Sequence, residues 1–424
     1  MGDVLGTDLI SDLPQSIIES ILNQLPIRDA VKTSILSRKW RYKWASITQL
    51  VFDEKCVPLC NDRDVVEKSI VKFITRLLFL HQGPIHKFHI KNLDLQSCPE
   101  IDQWILFLSR NDLKELVLEL GEGEFFRIPS CFFSCKKLTR MELSRCELDP
   151  PLNFKGFGCL KSLNLHQVLI FPDALESLIS SSPLLESLSL SYFDSLALKI
   201  RAPNLKYLYL EGEFKDIYLG DSPLLVEISV SMYMPDDIAE LFEHFEQSSN
   251  CNFVKFLGGV PNLESLVGRI YFTKYLSIGN DPWHLPIMYN NLKTVELYEV
   301  NFEDMKEILV VLRLITSSPN LKELHISASS NTTTATDTPD FDFWEKECPS
   351  DPTLSHLKVV KLTEMTGVPP ELAFVKFLLG CSPVLETLSF SPCIFDPEIE
   401  LKMLLELVKF RRASTRAEIA FADE

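Results

Sequence analysis

The chain has 424 residues, 46% of them hydrophobic and 24% charged, with a net charge of −17 and a pI near 5.0. That length allows two or more ordinary domains or one long repeat array, and the acid excess excludes general binding to nucleic acid or to an anionic membrane, which both need a basic footprint. The 11 cysteines follow no framework, the N-terminus shows no basic and apolar leader, and no apolar run reaches the ~18 residues of a membrane helix, so an intracellular chain with reduced thiols is expected, in nucleus or cytoplasm.

Residues 8–46 read as three short helices. Pro14 suits a first helical turn. Ile17, Ile18, Ile21, Leu22 and Leu25 then recur at helical spacing, and Pro26 ends the run. Asp29 sits in the first turn of the next helix, where its charge suits the dipole. Ala30, Val31, Ser34 and Ile35 form its small apolar face. Ser37 is a candidate N-cap for a third helix that places Trp40 and Trp44 four apart. A segment of about 40 residues cannot bury enough surface to stand alone. Its apolar faces need a neighbour, in this chain or in another protein. Arg28, Lys32, Arg38, Lys39, Arg41 and Lys43 also make it basic within an acidic chain, which suits an acidic partner.

This run resembles the F-box in its plant form. The matching pieces are Ile10-Ser11-Asp12-Leu13-Pro14, Ile17-Ile18, Ile21-Leu22, Leu25-Pro26, Asp29-Ala30-Val31, Thr33-Ser34, Leu36-Ser37-Arg38 and Trp40-Arg41 with Trp44. The resemblance implies docking on a Skp-type adaptor and, through it, on a cullin–RING ubiquitin ligase. It places adaptor contacts at Leu13, Pro14, Ile17, Ile21, Leu22, Leu25, Pro26 and Trp40.

A second pattern recurs after the F-box, through the repeat region 47–355 and on into the residues that follow: apolar, two residues, apolar, one residue, apolar. It runs through Leu113, Leu116, Leu118; Leu138, Met141, Leu143; Leu160, Leu163, Leu165; Leu185, Leu188, Leu190; and Leu205, Leu208, Leu210. It continues through Leu225, Ile228, Val230; Leu292, Val295, Leu297; Leu321, Leu324, Ile326; Leu357, Val360, Leu362; and Leu385, Leu388, Phe390. Weaker copies start at Ile47 and Ile85, and the copy at Leu263 puts Gly268 in its third apolar place. Spacings of roughly 20 to 38 residues suit leucine-rich repeats, whose single units cannot bury their own face and must stack. Ser-Pro or Pro-Asn precedes many copies, as at Ser182-Pro183 and Pro203-Asn204, where proline forces the turn into the strand. Helical stripes fit between strands at 173–180, 238–245 and 305–315. The body resembles the irregular repeat solenoids, or horseshoes, of plant F-box proteins.

In such an array positions three, five and seven of each copy face outward. These include Val117, the serines at 189, 191, 229, 231 and 327, and a tyrosine pair. Tyrosines beside small residues make contact spots for a protein partner. The expected target contacts are Tyr207, Tyr209, Tyr298, Arg140 and His166.

Residues 328–353 are rich in Ser, Thr, Asp and Pro and read as an acidic loop. Beyond it, 356–424 resembles the FBD region of plant F-box repeat proteins, through Leu357-Lys358-Val359-Val360, a helix over 371–379, Ser382-Pro383-Val384-Leu385-Glu386 and Arg411-Arg412-Ala413-Ser414. Leu362 stands where many relatives carry tryptophan, and Val368-Pro369-Pro370 replaces an acidic stretch. A helix over 399–410 and a last strand would cap the core.

No phosphate loop, zinc spacing or nucleophile elbow is present in the sequence, so no enzyme, cofactor or metal is expected. The expected fold is an α/β repeat: a three-helix F-box, a leucine-rich repeat solenoid and an FBD-like cap. The expected function is target recognition for a Skp–cullin–F-box ligase, with no nucleic-acid or membrane partner. A non-degradative scaffold and a small-molecule-sensing receptor are the alternatives.

Overall fold

The computed structural model describes residues 10, 13–56, 62–91, 93, 95, 98–121, 123–220, 222–233, 252–279, 288–329, 354–393 and 397–421. The expected helix over 238–245 and the acidic loop from 330 onward lie outside them. The chain forms two compact units, residues 1–185 and 186–424.

In the first unit, strands β1 (Gln49–Phe52), β2 (Lys87–Ile90), β3 (Glu115–Glu119), β5 (Arg140–Ser144) and β7 (Ser162–His166) pair in parallel, in that order. Short strands β4 (Phe126–Arg127) and β6 (Cys146–Glu147) form a separate parallel pair. Each long strand carries the second and third apolar residues of one copy, and these point inward because strand side chains alternate. Leu50, Phe52, Phe88, Ile90, Leu116, Leu118, Met141, Leu143, Leu163 and Leu165 are all buried. Helices Arg63–Leu80 and Glu100–Ser109 return the chain behind the strands. The expected elements included neither. Trp104 lies against Phe88, centroids 6.4 Å apart, and its indole N–H donates to Thr75 Oγ1 at 3.0 Å. A polar atom on a large buried ring is thereby satisfied. Farther along, Phe132, Phe133, Phe154 and Phe157 fill the same inner space.

The F-box is part of this unit. The Gln82 backbone N–H donates to the Ala45 carbonyl at 2.8 Å, and His81 Nε2 donates to the Ile47 carbonyl at 2.8 Å. Burial holds the His81 pKa below its ordinary value, which keeps a ring nitrogen free to accept from the Gly83 N–H at 3.3 Å. The neighbour that the short F-box requires is therefore, on one side, the start of the repeats.

In the second unit, strands β8 (Ser187–Arg201), β9 (Tyr207–Gly220), β10 (Glu227–Tyr233), β11 (Ser265–Ile270), β12 (Thr294–Val300), β13 (Glu323–Ala328), β14 (Val359–Met365), β15 (Thr387–Pro392) and β16 (Glu418–Phe421) pair in parallel in sequence order. Like repeat positions stand side by side: Leu208, Ile228, Leu266, Val295, Leu324, Val360 and Leu388 form one row. Where copies lie far apart, helices Met305–Thr316 and Pro369–Cys381 fill the return path. Between Leu185 and Leu205 the copy is too short for a helix. There β8 and β9 run on and pair a second time, over residues 196–201 and 214–220, with Leu198, Ile200, Ile217 and Leu219 buried. Helix Pro397–Lys409 and β16 follow the last repeat.

The irregular copy at Leu263 has a packing cause. A side chain at Gly268 would meet the Phe272 ring within 2.2 Å. Phe272 is fully buried and fills the place that leucine takes in other copies.

Turn chemistry explains the Pro-Asn and Ser-Pro signals. Asn262 Nδ2 donates to the Pro223 carbonyl at 2.7 Å, Asn291 Nδ2 to Asn262 Oδ1 at 3.0 Å and Asn320 Nδ2 to the Asn290 carbonyl at 2.7 Å. His356 Nδ1 is 3.0 Å from the Pro319 carbonyl. These side chains bridge successive turns. Ser182 and Ser318 are buried and donate back to the Leu178 and Leu314 carbonyls at 2.8 and 2.6 Å, which satisfies helix ends.

One backbone feature recurs without a fixed residue type. Position eight adopts positive φ at Arg145, Gln167, Tyr192, Gly212, Ile270, Glu299 and Glu364. Only Gly212 among them takes this conformation without a Cβ penalty. The strand ladders shift register across it, between Leu297 and Val300 around Glu299 and between Leu362 and Met365 around Glu364.

Two buried carboxyls brace strand-to-helix turns. Glu371 accepts from the Thr366 and Gly367 N–H groups at 2.9 and 2.6 Å. Glu307 accepts from the Asn301 N–H at 3.3 Å, next to the helix N-cap Asp304. Burial first, then the Asp304 charge, pushes the Glu307 pKa up to about 8 from an ordinary 4.5.

Two outcomes follow for stability. Gly268→Leu restores the repeat pattern but overpacks Phe272, and should lower stability by about 1–3 kcal/mol in urea denaturation. The folded chain holds the Glu307 proton more tightly than the unfolded chain does. Its contribution is therefore complete below about pH 4.5 and lost as pH rises through about 8. Glu307→Gln should remove that part of the pH slope, gaining on the parent chain toward pH 8 in parallel urea titrations.

Candidate functional site

The F-box is built on two α-helices, Gln15–Leu22 and Ile27–Lys32. Pro14 and Pro26 stand at their N-caps with extended ψ, so each proline opens a helix. The expected third helix is absent as an α-helix. Residues 38–42 form turns, and Trp44 lies on a 3₁₀ turn, Lys43–Ser46. Large tryptophans are held there by burial, not by helical periodicity. Gln15, Glu19, Lys43 and Ser46 tie the segment's ends together: Lys43 Nζ donates to Gln15 Oε1 at 2.7 Å, Gln15 Nε2 to Ser46 Oγ at 3.0 Å and Ser46 Oγ to Glu19 Oε1 at 2.9 Å.

The first helix divides its apolar residues between two faces. Ile18 and Leu22 turn inward with Ile27, Ala30, Trp40, Trp44 and Ala45. Ile17 and Ile21, one turn apart, remain exposed, as do Ile10 and Leu25. Ile35 and Leu36 are more exposed still, at 83% and 68%. Leu13 and Pro26 are half-buried and Pro14 is exposed. Among the expected contacts, Leu22 and Trp40 need correction: at 1% and 6% exposure they form the F-box interior. A single exposed isoleucine is ordinary, but several on one short segment mark an interaction surface. Ile35, expected on the apolar face of the second helix, lies beyond that helix, which ends at Lys32, and points outward with Leu36.

The outward strand positions form two separate sets. In the first unit Arg140 belongs to a lattice of charges. Its Nε donates to Glu142 Oε1 at 2.8 Å, Lys91 lies 3.8 Å from Glu142, and Lys87 lies 3.0 Å from Glu115. His89 sits 3.4 Å from Glu115, and burial lowers its pKa. Val117, expected outside, is buried. It stands in register between His89 and Glu142, whose longer side chains cover it. His166 ends β7 half-buried, with its carbonyl accepting from the Arg145 N–H at 3.0 Å.

In the second unit Tyr207 and Tyr209 project from the same face of β9 and are exposed. Tyr298 lies on β12. Its hydroxyl donates to Glu296 Oε2 at 3.0 Å and lies 3.3 Å from His325 Nδ1. The Arg269 guanidinium sits over the Tyr298 ring, 5.3 Å from its centroid. Tyr192, Glu211, Tyr233 and Arg269 complete this aromatic face and were not among the expected contacts. Tyr192 and Tyr233 fall beyond the six-residue motif, and Arg269 follows the glycine that breaks it. Ser191, Ser231 and Ser327, expected outside, are buried. Ser231, for example, stands in register between Glu211 and Arg269, and a short side chain lies below such neighbours.

Among the described residues no cluster of His, Cys, Asp and Glu could hold a metal. Burial pushes the Cys98, Cys135 and Cys146 thiols up to about 12, which suits packing and not nucleophilic chemistry.

Residues 10–49 match the F-box domain, 101–326 match the LRR repeats of "FBD-associated F-box protein At5g56370", and 347–390 match the FBD domain. The F-box/FBD/LRR-repeat protein At1g13570 of Arabidopsis thaliana is 60% identical over the full length of both chains. The FBD-associated F-box protein At5g56370 of the same plant is 26% identical, over 98% of this chain and 100% of that one. Among solved structures, an internalin from Listeria monocytogenes is 14% identical, with a TM-score of 0.40 over 84% of this chain and 95% of that one.

The burial pattern separates interior from surface in the F-box. Trp40→Ala should destabilise the chain by about 3–5 kcal/mol, whereas Ile35→Ser should stay within about 0.5 kcal/mol of the parent. Urea midpoints of the two variants check this.

Proposed function

The chain belongs to the F-box/FBD/LRR-repeat family, and from that premise we propose that it is the target-receptor subunit of a Skp–cullin–F-box ubiquitin ligase. F-box domains generally bind Skp-type adaptors, and proteins of this family are generally non-catalytic. The observation that carries the reading is the outward set Ile17, Ile21, Leu25, Ile35 and Leu36, left in water by a segment whose interior is already complete. Burying one such side chain against a partner stabilises by about 1.5–3 kcal/mol.

In this reading the adaptor covers that face, and the exposed Pro14 and half-buried Leu13 and Pro26 frame it. Arg38, Lys39 and Arg41 add a basic margin for an acidic adaptor. The outward residues of the parallel strands bind a protein target. The chain contributes no bond-making group. It raises the effective concentration of target lysines near a ubiquitin-charged enzyme, which is catalysis by proximity.

The test is capture of a purified Skp-type adaptor by the full chain and by an Ile35→Ser, Leu36→Ser variant. The parent should retain the adaptor. The variant should keep its melting temperature and bind adaptor at least roughly tenfold more weakly. A folded parent chain that captures no adaptor would sink the proposal, as would a variant that binds unchanged.

A further inference from the structure

Glu211 stands at position seven of β9 with tyrosines gathered round it. Tyr209 Oη donates to one carboxylate oxygen at 2.8 Å and Tyr233 Oη to the other at 2.6 Å. The Tyr192 ring stacks on the Tyr233 ring, centroids 6.4 Å apart and planes at 28°. Tyr192 occupies the left-handed position eight, with φ of 59°, and stays 46% exposed. Tyr207 is exposed on the same face as Tyr209.

The protons in this cluster are settled by its geometry. The hydrogen bond to Glu211, then burial, pushes the Tyr233 phenol up to about 12. Burial, then the bond to Glu211, does the same for Tyr209. Both phenols remain protonated and donate to the carboxylate. Aromatic faces are themselves electron-rich and attract cations, more strongly beside a carboxylate. The same sheet face already shows the pairing, in Arg269 over Tyr298. The outward residues of the neighbouring strands add Glu227, Glu296 and Glu323 against Arg269 and Lys361. The surroundings therefore favour a visiting positive charge.

We propose that Tyr192, Tyr209, Tyr233 and Glu211 form a receptor for a lysine or arginine side chain presented by a protein target. The inference rests on the target-binding half of the proposed function and assigns its chemistry. An extended basic segment laid across β8–β10 would place its cation over Glu211 and its backbone along Tyr207.

The experiment is selection of a random peptide library displayed on phage against the full chain, followed by anisotropy with the selected peptides. Selected sequences should carry a recurrent lysine or arginine, and replacing it with glutamine should weaken binding roughly tenfold. Tyr192→Ala and Glu211→Gln should each cost a similar factor, whereas Tyr192→Phe should not. The peptide substitution and Tyr192→Ala should not add when combined, because they remove the same contact. Neutral or acidic consensus peptides, an empty selection, or cationic peptides that bind Tyr192→Ala unchanged would each overturn the proposal. The glutamine peptide needs no altered protein, and unchanged melting of the variants confirms their fold. None of these readouts involves the adaptor, so a failure here leaves the adaptor test standing.

Discussion

Parallel pairing in equal register is the constraint from which most of the structure follows. Backbone hydrogen bonds hold neighbouring strands about 4.8 Å apart. When the register is equal, each repeat position repeats across the sheet as a row. Rows of leucine, valine and isoleucine then close over one another, and rows of polar side chains meet on the opposite face. A slip of one residue would send every leucine to the wrong side. The asparagine and lysine contacts between successive copies, such as Asn291 with Asn262 and Lys293 with Glu264 at 2.6 Å, suit this one register.

The same constraint governs where irregularity is tolerated. A copy can shorten until its return path is a strand, as in β8 and β9, because the apolar row is still served by Leu198 and Ile200. A copy can lose its third leucine, as at Gly268, because Phe272 brings a ring into the same space. The core requires volume at a place and not a given residue at a given number. That is why this chain keeps recognisable repeats at such uneven spacing.

Exposed side chains that the core does not use gather on a short helical segment and on the outward rows. The F-box uses its inward residues to join the first repeats and leaves a second apolar face in water. The outward rows offer charge lattices around Arg140 in one unit and tyrosines around Glu211 in the other. Their variety arises because outward positions are not constrained by the core.

The sequence by itself determined the architecture and the inward residues, since apolar spacing reports which side of a strand or helix is buried. Each clear copy became a strand at the expected place, and the helices at 172–180, 305–316, 369–381 and 397–409 matched their stripes closely. The F-box motif was equally legible, but its inside and outside were not. Leu22 and Trp40 belong to the interior and Ile35 and Leu36 to the surface, because a short segment buries whichever face its neighbour covers. Only the tertiary structure could decide the left-handed residue at position eight, which is arginine, glutamine, tyrosine, glycine, isoleucine or glutamate by turn. It recurs at the same place in the repeat whatever residue stands there, so no residue's own preference sets it. The tyrosine cluster shares this origin, since Tyr192 at position eight stacks on Tyr233, whose hydroxyl donates to Glu211, through strands brought together by stacking and not by nearness in the chain.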